Sequence, residues 1–430
     1  MRTATPQWER TLALKNQSPR IARSVSTPEW WARSAALFFA GATSGIDLHV
    51  VGTLPVGEVV ILAAFVVFQI QAFGSRGGER PRYLNWLLAL QAVATCALIF
   101  SDLWRGSESA DFLRGWMRMI LLLVDLCAFS LLESRSAGAW VAFQVGTVFS
   151  CVSLLFAPPL FGEYWKFGFA SSVTVFGVLV LQKMKSVWVR AGGLMALAIL
   201  HAVLEYRSMA LICGCTALAL AVAQVSKKIR VKAAIVLVVF AAIAFFPVRS
   251  LVLEKRGEGG GRSDVERAAM IEAASGAFIE SPFIGQGSWF SHSDVMNRFL
   301  DIRAIREADA GGGLGFDPND AEGVAIHSQT LVSLAEGGIF GGSFFLFYDG
   351  FLVWAILSRI FLTGEDGRNA PLEFYVLFSS LYATFMSPFS GIERLHIALA
   401  AVLAVNIIMR AWIAKPKKKA TVRTVEFGRL

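Results

Sequence analysis

Long apolar runs separated by short polar connections recur along most of the chain. A hydrocarbon core about 30 Å thick needs roughly 20 apolar helical residues per crossing, and about twelve runs answer to that length. They cover 34–51, 56–73, 83–101, 113–132, 138–157, 166–182, 187–204, 208–225, 231–248, 337–358, 372–388 and 393–413. The pattern predicts an all-α polytopic membrane protein with one large exported loop, 249–336, between the ninth and tenth helices. A polar tail over 1–33 and a basic tail over 414–430 complete the organisation.

Composition agrees, since 55% hydrophobic residues, 17% charged residues and a mean hydropathy of +0.56 do not describe a soluble globule of 430 residues. The first 33 residues carry Arg2, Arg10, Lys15, Arg20, Arg23 and Arg33 without an apolar core before a cleavage site, so they read as a cytosolic arm. Lys and Arg alternate between successive connections, at 76–82, 183–185, 227–232 and the KPKKK beginning at Lys415. An even number of crossings with both termini cytoplasmic satisfies the positive-inside rule. The net charge of +8 then reflects anchoring at anionic lipid, and nucleic acid is not an expected partner. Cys96, Cys127, Cys151, Cys213 and Cys215 all fall within spans and imply packing rather than a disulfide framework.

On this topology His49, His201, His292, His327 and His396 all map to the outer half. Arg114 and Arg118 lie there at the start of the fourth span, with Glu205 and Arg207 before the eighth and Glu393 and Arg394 near His396. Ionisable groups at membrane depth face a cavity or a partner, so this set is expected to line a vestibule for an anionic ligand.

The exported loop opens on GEGGGR at 257–262, followed by Ser263 and Glu266 in the spacing of a capping box. Ala268, Ile271, Ala274 and Phe278 then predict an amphipathic helix over 264–280, stopped near Pro282. Arg262 beside that helix start suits phosphate, although Asp264 and Glu266 partly cancel the field. A second helix is expected over 293–308. The acidic, glycine-rich stretch through Asp309, Asp317, Asp320 and Glu322 lacks the ligand order of a calcium loop and reads as a lid or a surface loop. His327 begins a short helix that Glu336, Gly337 and Gly338 break; nine residues on, Glu336 is half a turn out of phase with His327. It is therefore expected to serve helix termination or substrate contact.

These segments resemble the O-antigen ligases and the related O-antigen and exopolysaccharide polymerases of bacterial envelopes. The resemblance rests on Glu205-Tyr206-Arg207-Ser208, on Gly261-Arg262 before a helix, on Ser281-Pro282-Phe283-Ile284-Gly285-Gln286-Gly287 as a Pro-x-x-Gly-x-Gly turn, and on His327-Ser328 through Glu336-Gly337-Gly338-Ile339. The chain departs from the family pattern at Ser208-Met209 and at Glu266, so Arg267 stands as an alternative to Arg262. The resemblance implies a membrane-embedded, C-type helical glycosyltransferase on the periplasmic face of the inner membrane. Its donor would be an oligosaccharide on polyprenyl diphosphate, its acceptor a glycan hydroxyl, and its neighbours the lipid bilayer, a chain-length regulator and a flippase. No cofactor or metal is expected, because a diphosphate is already a competent leaving group. His327 would be the general base, with Arg207 and Arg262 holding the diphosphate. Arg114, Arg118, Arg267, Glu336 and Arg394 would contact substrate.

Two other classes fit parts of the pattern. A transporter of lipid-linked saccharide also has many spans, and Asp125 deep in the fourth supports it, but the charged set sits at the outer mouth and no repeat is visible. A zinc hydrolase would need closely spaced ligands, and no HExxH pattern occurs.

Overall fold

A computed structural model of the chain describes residues 27–49, 53–72, 82–134, 138–155, 164–225, 230, 232, 267–288, 293–309, 328–361, 369–387 and 391–413. The helices are α1 (Thr27–Ala42), α2 (Val56–Ala72), α3 (Arg82–Arg105), α4 (Ser109–Ser134), α5 (Trp140–Val148), α6 (Ala170–Leu181), α7 (Val187–Val203) and α8 (Arg207–Gln224). After them come α9 over 267–280, α10 (Ser293–Asp309), α11 (Gln329–Phe361), α12 (Ala370–Met386) and α13 (Gly391–Ile413). Five helices among the described residues are long and apolar enough to cross a membrane: Tyr83–Arg105, Ser109–Glu133, Arg207–Gln224, Gln329–Phe361 and Gly391–Trp412. The protein is therefore an all-α, membrane-embedded bundle. The ninth predicted span apart from residue 232, the capping box at Ser263 and Glu266, and the C-terminal tail lie outside the described residues.

Helix α13 is the central post. Ala398, Ala400, Ala401 and Ala404 are buried together with Leu399, Leu403, Ile407 and Ile408. Burial on all sides needs a helix apolar all round, and the small residues let α4 and α11 approach it closely. Around this post α3 packs on α4 and α11, α12 on α8 and α11, α1 on α5, and α7 on α8.

Several boundaries differ from the expected ones, each for a local reason. α1 begins at Thr27, because Arg33 is admitted to the interior: its guanidinium donates to the Leu131 carbonyl at 3.0 Å and to Glu29 at 2.6 Å and lies over the Phe68 ring. Paired in this way, a charge no longer marks the end of the tail. The first span then stops at Ala42, and the short strands Asp47–His49 and Thr53–Pro55 pair antiparallel with Leu48 opposite Leu54. The run 138–157 becomes α5 plus a 3-10 turn over Ser150–Leu155. A π turn over Trp165–Phe169 opens the run that follows.

The largest departure is in α11. Gly338 has φ 65° and ψ −163°, and the chain reverses there. Thr330 Oγ1 donates to Asp349 Oδ2 at 2.9 Å, although nineteen residues of straight helix would hold them about 28 Å apart. The limb 329–337 thus folds back along 339–361 as a re-entrant helix.

Candidate functional site

The two ends of the re-entrant helix are held by different groups. At its carboxyl end the Ser281–Gly287 turn caps the Ala335 and Glu336 carbonyls. Gln286 N–H donates to Ala335 O at 2.9 Å and Gly287 N–H to Glu336 O at 3.0 Å, while Ile339 N–H donates back to Pro282 O at 2.7 Å. Ser101 Oγ from α3 adds a 2.8 Å bond to Glu336 O.

Close approach explains the glycines of this turn. Gly285 and Gly287 have φ of 84° and 83°, and a Cβ on Gly285 would run into the Glu336 carbonyl. Gly285→Ala is therefore expected to destabilise the protein by about 1–3 kcal/mol. Gly350→Ala, in the same helix pair but with open space for a Cβ, should be neutral or slightly stabilising. Thermal unfolding in detergent checks both.

The turn is also pinned to the bundle. Arg105 donates from Nε to Gly285 O at 3.0 Å and from Nη2 to Ser281 Oγ at 2.8 Å. Asp102 accepts from Ser288 N–H at 2.5 Å, from Ser288 Oγ at 2.7 Å and from Trp116 Nε1 at 2.7 Å. Against this frame the Arg118 guanidinium from α4 pairs with the Glu336 carboxylate, both buried. Leu98, Met119, Ser333, Glu336 and Gly341 line a narrow crevice there. Gln329, Ser333 and Glu336 are spaced four and three apart, hence on one face. Gln329 is fully buried with both amide atoms lacking a hydrogen-bond partner, and so is the Ser333 hydroxyl.

At the amino end, Asp349 accepts from Thr330 Oγ1 and, at 2.7 Å, from Thr384 Oγ1 near the end of α12, while Ser328 Oγ donates to Thr384 O at 3.4 Å. Tyr206, one residue before α8, sits in the electrostatic field of Glu393 and Tyr382. The starts of α8 and α13, the end of α12 and the start of the re-entrant helix thus gather in one region.

Of the residues singled out above, Arg118 and Glu336 meet directly. Arg207 is exposed at the first position of α8, after Glu205 in the left-handed region with φ 59°. Arg114 is exposed on α4. Arg267 is half-buried where the description of α9 begins, its Nε without a hydrogen-bond partner. Arg394 is buried and committed to Glu58 by two bonds of 2.7 Å, which ties α13 to the start of α2 rather than to an open vestibule. His327 and Arg262 lie outside the described residues, as does the stretch 310–326; His327 directly precedes Ser328 in the chain.

The helix 267–280 buries a face rotated from the expected one. Ala269, Met270 and Ala273 pack on Phe299 of α10, and Ala274 and Ala277 on Ala335, while Ile271 is exposed. Two partners, each approached through alanines, select that face. Sequence reasoning missed Asp102, Arg105, Gln329, Asp349 and Thr384. Asp349 carried a usable signal as an acid inside an apolar run. The others become legible only once the chain reverses at Gly338.

No protein-family model matches the chain, and no curated protein matches it.

Proposed function

We propose that the protein is a metal-independent, inverting membrane glycosyltransferase that extends surface polysaccharide. In this reading it has twelve crossings, both termini in the cytoplasm and its site on the periplasmic face of a bacterial inner membrane. One observation carries the proposal: the 281–287 turn and two spanning-helix residues, Ser101 and Arg118, converge on a re-entrant helix whose buried face offers unmet amide and hydroxyl groups beside a carboxylate and a guanidinium. An amide and a hydroxyl both donate and accept, as sugar hydroxyls require.

The reaction joins an acceptor hydroxyl oxygen to the anomeric carbon of the donor and breaks the bond from that carbon to the diphosphate. The proton passes to His327 and the electron pair leaves with the diphosphate, whose growing charge Arg207 and Arg262 or Arg267 stabilise. Attack opposite the leaving group inverts the anomeric centre. With a further repeat unit as acceptor the enzyme is a polymerase; with a lipid A core sugar it is a ligase.

Arg207→Ala is expected to lower transfer on the order of 100- to 1,000-fold, because a donor aimed at developing charge is lost. Arg207→Lys should recover only part, since an ammonium keeps the charge but not the planar fork. The measurement is envelope glycan length in a deletion strain complemented with each variant at matched membrane level. Long glycan should disappear while short lipid-linked units accumulate, and glycan attached to the lipid A core would identify the ligase. Full-length glycan from Arg207→Ala would overturn the assignment.

A further inference from the structure

The segment that caps the re-entrant helix also carries large apolar side chains that are exposed. Ile279 and Phe283, four residues apart at the end of α9 and into the turn, are 73% and 70% exposed. Neither belongs to a membrane-spanning helix. Their surroundings identify the occupant. Phe340, Phe347, Trp354 and Phe361 recur every seven residues on the spanning limb of α11 and are all exposed, as an acyl-chain-facing stripe requires. On α3 the exposed Trp86, Val93, Phe100 and Trp104 make a second such stripe.

The turn is fastened to the same end of both stripes. Pro282 O accepts from Ile339 N–H beside Phe340, and Arg105, next to Trp104, donates to Gly285 O and Ser281 Oγ. Phe283 therefore stands, exposed, in a turn fastened at the Phe340 end of one stripe and the Trp104 end of the other.

We infer that the Ile279–Phe283 edge is an interfacial anchor that inserts among the acyl chains of the adjacent leaflet and holds the mouth of the site at the membrane surface. Burying such side chains in hydrocarbon is favourable, while aromatic rings at chain ends suit the interface. Both flanks of the turn that carries Phe283 are hydrogen-bonded to spanning helices, which holds the edge in one orientation. The inference rests on the membrane assignment and not on glycosyl transfer.

The test places a photoreactive benzophenone amino acid at position 283 of the full-length protein. The protein is reconstituted in vesicles of phosphatidylethanolamine and phosphatidylglycerol with radiolabelled acyl chains. Position 347, inside the α11 stripe, and Asp301, exposed on α10, serve as references. Illumination should give lipid adducts at 283 approaching those at 347 and several-fold above those at 301. Labelling at 283 no greater than at 301, with 347 labelling well, would overturn the inference, as would crosslinks from 283 to protein alone. A monodisperse elution profile of each variant separates these outcomes from misfolding. The readout needs no turnover, so the proposed activity and the anchor can fail independently.

Discussion

Replacing His327 with alanine is expected to reduce glycan transfer by about 100- to 10,000-fold, the range for loss of a positioned general base. Imidazole has an unperturbed pKa near 6.5 and accepts a proton at working pH, whereas an acceptor hydroxyl does not give one up unaided. The chain next to His327 is well held, since Ser328 and Thr330 are tied to Thr384 and Asp349. Alanine at 327 leaves the residues that make those ties unchanged and removes the imidazole that the proposed reaction needs as its base. The measurement is polysaccharide length in a complemented deletion strain, with membrane level checked by blot. Normal long glycan from this variant would remove the base assignment and favour the transporter reading. That reading would then have to accommodate Asp125, which is buried beside Glu58 and its Arg394 partner.

Glu336→Gln has the largest expected effect on stability, about 3–5 kcal/mol, because it leaves the buried Arg118 guanidinium without its carboxylate. Arg118→Met should cost a similar amount for the mirrored reason. The double variant should be much less damaged than the sum of the two, since a buried pair replaced together leaves no uncompensated charge. A double-mutant cycle from thermal unfolding in detergent measures the coupling. Additive losses below about 1 kcal/mol each would show that the pair is no more than a surface-like contact. Gly285→Ala acts on the same junction through the backbone, so its loss should persist in the Glu336→Gln background.

The spans were legible where hydropathy alone decides. α3, α4, α8 and α13 lie close to their expected bounds, and so does α10, expected over 293–308 and found at Ser293–Asp309. Legibility failed where a partner far along the chain changes what a residue costs. Arg33 looked like the edge of the tail until Leu131 and Phe68 received it. Arg394 looked like a ligand-facing cation until Glu58 met it with both oxygens. The rotated face of α9 depends on α10 and Ala335, neither of which its own periodicity can register.

The candidate site divides along the same line. The glycine spacing of 281–287 and the Glu336-Gly337-Gly338 break were visible because turns and helix ends have local residue requirements. That the first caps the second was not visible, because the hydrogen bonds run between carbonyls and N–H groups fifty residues apart and carry no side-chain signature.

By itself the sequence determined an apolar, all-helical membrane protein, the approximate limits of α3, α4, α8 and α13 and the places where the chain must break. These follow from transfer of side chains to lipid and from backbone sterics, both nearly independent of neighbours. Only the tertiary structure decided that the chain reverses at Gly338, that Arg118 belongs to Glu336 and Arg394 to Glu58, and that Asp349 anchors the start of the re-entrant helix. Pairing of buried charges and capping of helix ends are settled by whichever groups the packed helices bring within 3 Å, and that information exists only once the bundle has formed.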